Sequence, residues 1–332
     1  MDRTPFFRRL IGDAVRVTFT RTHLWLFGVF AALAGFGGLY EAFYRSFGMM
    51  FGRLTGAVPA HGVPYVRPMW LMTKTVFKAS EWPLFKGLLF VIVCGAVLSG
   101  LVWLTSIAVG ALIGSVRRIV LGGTAHFSDG WRIGTQRFPT VLAILLTTKA
   151  ALLFITLLAG ANLIGTLRDG TWWAIVLYAV SFLVYMAIMA GAVLLSVLAA
   201  NYAVIRGERF AVSVSHAAKL LTDNWLICLE ALFVLFVLDL LVGMLSLIAL
   251  TVLAFPAMAL LSWASSASAP VSFIAMKVLF AFAIVVMVVV VGAMYATLRT
   301  VFWTLLWMEL SENSRAARLL RWFGKRLAWK RR

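Results

Sequence analysis

Charged residues are scarce in this sequence, and acidic residues are the scarcest among them. Asp, Glu, Lys and Arg make up 13% of the 332 residues, whereas hydrophobic residues make up 63%. Soluble domains contain about 25% charged and about 45–50% apolar residues, so this composition excludes an ordinary soluble globular protein. The chain is therefore predicted to lie in a lipid bilayer.

Negative charge is especially rare, because 12 acidic residues stand against 30 Lys and Arg, for a net charge of +18. In a soluble protein such an excess would suggest nucleic-acid binding. Here the basic residues occupy short segments beside apolar runs, which is typical of the positive-inside rule and not of a nucleic-acid groove. No nucleic-acid partner is predicted.

Recognisable catalytic or metal-binding patterns are also lacking. The two cysteines, Cys94 and Cys228, lie in different apolar runs at different depths, so no disulfide is expected. The histidines are scattered singly and show no metal-ligand spacing: His23, His61, His126 and His216. The sequence has no phosphate-binding loop and no Gly-x-Ser-x-Gly turn. An enzyme is therefore disfavoured, and no catalytic residue, metal or cofactor is predicted.

Long apolar runs are what the sequence does contain, and they predict an all-α polytopic membrane protein. A helix rises about 1.5 Å per residue, so about 20 apolar residues cross a hydrocarbon core of about 30 Å. Six runs are predicted to span the membrane: 23–40, 84–114, 139–164, 172–205, 225–261 and 273–299. They form a single membrane domain over 1–314, with an external loop at 41–83 and a basic tail at 315–332. Pro139 is expected to open the third run, since proline is well tolerated in the first helical turn.

The first apolar run has two interpretations. It follows five arginines and resembles a signal peptide with Ala32-Leu33-Ala34 as its cleavage site. The basic region is longer than the basic n-region of a usual signal peptide, and cleavage would leave an odd number of spans. We therefore interpret this run as a signal-anchor helix with its N-terminus inside.

Basic residues predict that both termini lie in the cytoplasm. Of the 30 Lys and Arg, 20 fall before residue 24 or in 117–137, 206–219 and 315–332, which six spans place on one side. The opposite side receives 7, of which 6 lie in 41–86, the segment that contains the long first loop. Cytoplasmic loops are enriched in Lys and Arg, and long loops count less, so a bacterial-type cytoplasmic (inner) membrane is predicted.

A repeated order of parts, an amphipathic segment and then a span, precedes the first, third and fifth helices. Three sets of apolar residues share the spacing n, n+4 and n+11: Phe127, Trp131 and Phe138; Phe210, Val214 and Leu221; Phe6, Leu10 and Val17. This spacing returns to one helical face, while polar residues such as Asp129 and Ser213 take the other. Each segment is expected to lie in the inner interface as an amphipathic helix, although juxtamembrane linkers rich in Phe, Arg and Ser also fit three positions by chance.

Two of these segments carry a family resemblance. GERFAVSVSHAAKLLTDNW (207–225) resembles the segment before a membrane helix in the YciC, DUF975 and glycerophosphodiester phosphodiesterase membrane-domain group, and FSDGWRIGTQRFP (127–139) is similar to its companion copy. The resemblance covers about 84–310 and implies an all-helical integral membrane domain, mostly of unassigned activity. In some relatives this domain is attached to a soluble phosphodiesterase. No soluble segment here is long enough for that catalytic domain, so the hydrolase activity is not implied.

Four charged residues fall inside predicted spans: Lys149, Glu230, Asp239 and Lys277. A charge at the bilayer centre costs at least about 2.5–3.5 kcal/mol on insertion, so each needs a reason. They either form ion pairs that lock helices together or line a pathway for protons, ions or lipid head groups. Arg299 and Glu309, near the inner end of the last helix, are interpreted as snorkelling or interfacial residues.

Depth along the helices predicts an ion pair between Asp239 and Lys277. Counted from Trp225, Asp239 lies about 21 Å from the inner face. Counted from the outer end of the last helix, Lys277 lies about 22 Å from the same face of a core of about 30 Å. Lys149, at about 15 Å, is expected to reach Glu230 or Asp239 with its flexible stem.

The expected function is that of a non-enzymatic membrane protein that organises partners or lipids. The alternative is a transporter or lipid-translocating protein that uses the intramembrane charges. Membrane lipids, anionic at the cytoplasmic face, are the expected partners, together with a membrane protein or a second copy of the chain. The basic residues of the tail are predicted to lie on that face: Arg315, Arg318, Arg321, Lys325, Arg326, Lys330, Arg331 and Arg332.

Overall fold

The computed structural model of the chain describes residues 6–34, 83–124, 126–266 and 270–312, and every regular element in these ranges is a helix. The external loop and the basic tail predicted from the sequence lie outside the described residues. The elements are α1 (Phe6–Thr20), α2 (Leu24–Ala34), α3 (Pro83–Val120), α4 (Phe127–Asp169), α5 (Trp172–Asn201), a π-helical turn (Tyr202–Arg206), α6 (Phe210–Asp223), α7 (Trp225–Ser266) and α8 (Pro270–Glu312).

Five of the described helices are long and apolar enough to cross a membrane, which confirms the polytopic all-α class. Their apolar stretches are Gly87–Val120, Phe127–Thr166, Trp172–Arg206, Trp225–Leu253 and Val278–Ser311. The first predicted run contains the shorter helix α2, and its continuation after residue 34 lies outside the described residues. α2 packs against α3 and α8 and buries Leu24 and Phe27, so it is part of the bundle.

The helices join where the sequence placed turns, with one exception. α4 ends before Gly170, whose positive φ of 61° suits glycine, and Thr171 caps α5 by accepting a hydrogen bond from the Ala174 backbone N–H. Pro139 was expected to open a helix, but it lies inside α4. The amphipathic segment and the span are therefore one continuous helix. A proline removes only one hydrogen bond of the helical ladder, and neighbouring helices make that loss tolerable in a membrane.

The two ends of the bundle are packed very differently. At one end, residues 298–310 of α8 lie at the centre of a buried cluster to which α1, α3, α4, α5, α6 and α7 contribute. We call this region the packed end. At the other, the open end, α3, α5, α7 and α8 expose large side chains such as Leu98, Leu183, Val252 and Phe282. Lipid tails are as apolar as these side chains, so their exposure is compatible with a membrane.

Glycines allow the closest helix contacts of the packed end. Gly110 and Gly114 of α3 are four residues apart, and both face α4. A Cβ on Gly110 would lie 3.3 Å from the Gly134 Cα atom, and one on Gly114 would lie 2.6 Å from the Ile133 side chain. A Cβ on Gly134 would collide with the Ile107 carbonyl oxygen. Such contacts let two backbones approach and pack in the membrane.

The predicted repeat is found as separate short helices only before α2 and α7. In α1, Phe6, Leu10 and Val17 belong to the core cluster, as the spacing predicted. In α4, Phe127 and Trp131 are exposed instead, because Gly130 and Gly134 form the packed face. Small residues give closer backbone contact than aromatic ones, so helix packing and not hydrophobicity decides this face.

The polar face predicted for α6 needs one correction. Ser213 was expected to point away from the core, but it is completely buried. Its backbone N–H donates to the Arg209 carbonyl oxygen at the start of the helix. A serine is small enough to sit where a helix packs closely against another, so its burial follows from size and not from polarity.

Candidate functional site

A groove with charged walls lies where α1, α7 and α8 meet, and it is the strongest candidate site among the described residues. Its volume is about 780 Å³. Glu230 and Asp239 of α7 line it together with Arg299 of α8, and Phe7 of α1 contributes an aromatic wall. The rest of the lining is apolar: Leu229, Leu232, Phe233, Val234, Leu235 and Phe236. Two of the four intramembrane charges predicted from the sequence therefore share one site.

Arg299 is the charged neighbour of Asp239. The two opposite charges attract one another across the α7–α8 contact. The sequence placed Arg299 near the inner end of its helix, but α8 continues to Glu312, thirteen residues further. At about 1.5 Å per residue, Arg299 lies roughly 20 Å before that end, and its interfacial position stays a prediction.

The predicted pair between Asp239 and Lys277 is excluded by the backbone. Lys277 and Arg299 belong to the same helix and are 22 residues apart, or about 33 Å along the axis. A lysine side chain cannot bridge that distance to reach the neighbour of Arg299. The prediction assumed that α7 and α8 begin and end at the membrane faces. With 42 and 43 residues, both are far longer than a core of about 30 Å, so depths counted from their ends are wrong.

Lys149 takes no part in this groove. It lies on an exposed face of α4, whose main contacts are with α3 and α5. The expectation that its side chain reaches Glu230 or Asp239 stays a prediction. Glu309 lies in the last turn of α8, at the packed end of the bundle. The side chain of Lys277 and the basic tail are outside the described residues.

A second, smaller space lies on the other side of Arg299. This chamber has a volume of about 80 Å³ and is lined by residues of α2, α3, α4, α5 and α8. Its polar lining comes from Ser196, Asn201, Arg299, Thr300 and Trp303. Sequence reasoning missed Asn201 and Trp303. An asparagine inside the apolar run 172–205 was the available signal, since an uncharged polar residue in a span also needs a partner.

Comparisons of the chain with known protein families, curated proteins and solved structures found no match.

Two of the segments predicted to face the cytoplasm, 117–137 and 206–219, meet at the packed end. The Arg117 guanidinium donates to the Ile205 carbonyl oxygen at 2.7 Å, and Arg137 donates to the Gly207 carbonyl oxygen at 3.1 Å. The π-helical turn leaves such carbonyls without partners in the helix, so α3 and α4 hold it in place. Arg206 lies over the Tyr202 ring, 5.0 Å from its centre, and Arg118 pairs with Asp129 at 2.7 Å.

The histidines remain separate from the groove. His216 lies 2.9 Å from the Glu208 carboxylate. Burial lowers the pKa of His23, and the positive charge of Arg21 and the neighbouring His126 lower it further. Within the described ranges, no three His, Cys, Asp or Glu side chains lie close enough to hold a metal ion. His61 lies outside these ranges.

Proposed function

We propose that this protein is a non-enzymatic integral membrane protein that binds an amphiphilic lipid in the groove between α1, α7 and α8. The observation that carries the proposal is the placement of Asp239 and Arg299 on an otherwise apolar groove wall. Apolar side chains such as Phe233 and Phe236 suit an acyl chain. A volume of about 780 Å³ lies within the range of about 300–1,000 Å³ that is usual for ligand sites.

The charges favour a zwitterionic head group. The groove holds two carboxylates, Glu230 and Asp239, and one guanidinium, Arg299. Guanidinium groups bind phosphate through paired hydrogen bonds, and carboxylates accept hydrogen bonds from an ammonium group. A phospholipid with an amine in its head group offers both partners at once. A purely anionic lipid would leave the two carboxylates opposed by like charge.

Lipid translocation is the second candidate, and the length of the groove favours it. Glu230 and Asp239 are nine residues apart on α7, which corresponds to about 14 Å along the helix axis. The charges thus lie at different depths in the membrane. A head group that moves from Glu230 to Asp239 and Arg299 would find a charged partner at both ends of this step.

The cytoplasmic location of the packed end belongs to the same proposal. α1 and the last turns of α8 meet there, and so do the basic segments around Arg117, Arg137 and Arg206. Basic residues concentrate on the cytoplasmic side of inner-membrane proteins. We therefore place both termini inside, with the basic tail at 315–332 on the anionic lipid surface.

Photo-crosslinking in lipid nanodiscs tests the binding site. A phosphatidylethanolamine with a photoreactive acyl chain should label the α7 segment around Phe233 more strongly than a diacylglycerol carrying the same chain. A second cleft between α7 and α8, lined by Val252, Leu253 and Val286 without any charged residue, is the internal control. It should label equally with both probes. Equal labelling of the groove by both probes would mean that it contains only bulk membrane lipid, and would contradict the proposal.

Two variants connect binding to translocation. Asp239→Asn should reduce head-group-dependent labelling several-fold, whereas Ala249→Val in the apolar cleft should leave it unchanged. In proteoliposomes, transbilayer movement of a fluorescent phosphatidylethanolamine distinguishes the two candidates. Movement that requires both wild-type protein and Asp239 supports translocation, and specific binding without movement supports lipid organisation.

A further inference from the structure

The small chamber behind Arg299 contains buried polar atoms without hydrogen-bond partners. Asn201 is 1% exposed and Trp303 is 2% exposed. The Asn201 side chain donates its N–H to the Val197 carbonyl oxygen, but its Oδ1 atom has no hydrogen-bond partner among the described residues. The same holds for the Trp303 Nε1 atom. An unpaired buried polar atom costs about 1–3 kcal/mol, so two in one chamber need an explanation.

We propose that this chamber is an internal hydration site, which holds water between α5 and α8. The ligand must both donate a proton to Asn201 Oδ1 and accept one from the Trp303 indole N–H. Water does both in a single small molecule. A chamber of about 80 Å³ holds at least two waters at about 30 Å³ each, and it is too small for a lipid head group.

The remaining lining provides the further contacts that a buried water requires. Such waters make about three hydrogen bonds each. The Ser196 and Thr300 hydroxyl oxygens are available as acceptors; that of Thr300 already donates its proton to the Ala296 carbonyl oxygen. The apolar remainder of the lining includes Ile113, Leu145 and Val197.

The site has a consequence for Arg299, which lines both the chamber and the lipid-facing groove. Water on one side of a guanidinium and a carboxylate on the other both stabilise its positive charge inside a membrane. Local water is one of the means by which proteins lower the cost of an intramembrane arginine. The hydration site thus lowers the free-energy cost of the charge at the groove whether or not a lipid is bound there.

X-ray radiolytic footprinting of the full chain in nanodiscs tests this proposal, because buried waters generate hydroxyl radicals that oxidise the side chains next to them. Trp303 should be oxidised at least fivefold faster than Phe302, its neighbour in sequence, which is also 2% exposed but does not line the chamber. Ala200→Val, which adds two methyl groups to the chamber wall, should slow oxidation of Trp303 and leave that of exposed Trp173 unchanged.

Two results would overturn the hydration site. Protection of both Trp303 and Phe302 in the wild-type protein would show a dry chamber. Equal oxidation of the two would show that water reaches the whole packed end and not one site. Both readouts use the wild-type chain, so they decide the question even if Ala200→Val does not fold. Neither depends on lipid binding in the groove.

Discussion

The packed end and the open end of the bundle are built from the same helices, yet they use apolar residues for different purposes. Phe302 and Phe282 both lie on α8, and they are 2% and 65% exposed. In water both would be driven into a core, but lipid removes that difference because hydrocarbon tails solvate an exposed phenylalanine well. What distinguishes the ends is therefore close packing and polar contact. Glycine contacts, arginine-capped carbonyls and the Asp239–Arg299 neighbours all occur at or beside the packed end.

The largest expected contrast compares these two phenylalanines. Phe302→Ala should leave a cavity and lower the free energy of unfolding by about 4 kcal/mol, within the range for buried aromatic residues. Phe282→Ala should change it by less than about 0.5 kcal/mol, since lipid fills the space. Reversible unfolding by denaturing detergent in mixed micelles measures both. Equal losses would show that the open end is as tightly packed in the membrane as the packed end.

Removing Asp239 should have the next largest effect. Asp239→Ala removes the carboxylate that attracts the Arg299 guanidinium, and losing one of these two partly buried charges is expected to cost about 1–3 kcal/mol. The double variant Asp239→Ala/Arg299→Met should recover much of that loss. The matched control, Asp239→Ala/Lys277→Met, should recover none, because Lys277 lies about 33 Å further along α8. If the Lys277 double variant recovers stability and the Arg299 double variant does not, Asp239 is paired with Lys277, as the sequence predicted.

Two glycines of α4 provide a contrast in sign. Gly134→Ala should destabilise the protein by about 2 kcal/mol, because the new methyl group collides with the Ile107 backbone and overpacked sites cost about 1–3 kcal/mol. Gly160→Ala meets nothing within 4 Å and should stabilise the helix by up to about 1 kcal/mol. Thermal unfolding of the two variants in detergent shows whether they shift in opposite directions. A shift in the same direction would mean that α3 and α4 do not approach at Gly134.

Acidification should lower the stability of the protein through His23, at the junction of α1 and α2. This is the smallest of the expected effects. The pKa of His23 is lowered by burial, then by Arg21 and His126, so the unfolded chain binds this proton first as pH falls below about 6.5. Stability is therefore expected to fall between pH 7.5 and pH 5.5. His23→Asn should lose less of its melting temperature over this interval than the wild type does. If the His23→Asn variant and the wild type lose the same melting temperature between pH 7.5 and pH 5.5, another group causes the acid sensitivity.

The sequence predicted the class of the fold and the order of its helices well, because both depend on local properties. Hydrophobic runs long enough to span a membrane are visible without a structure. Pro139 misled the assignment of α4, since a proline at a helix start and one inside a membrane helix look alike in sequence.

The candidate site was only half visible. Glu230 and Asp239 were found because charges are expensive in lipid, and this reasoning needs no partner to be known. Their neighbour Arg299 is also charged, but the sequence did not indicate that it lies beside Asp239. Asn201 and Trp303 carry no charge, and their significance depends on what surrounds them.

By itself, the sequence determined that the chain forms apolar helices in a membrane, since composition and run length set the free energy of transfer into lipid. Only the tertiary structure decided which charge lies beside Asp239, which face of α4 is packed, and where an enclosed polar chamber forms. The physical reason is that these features depend on the register between helices. Helix register is set by close contacts such as those at Gly28, Gly114 and Gly134, between residues far apart along the chain.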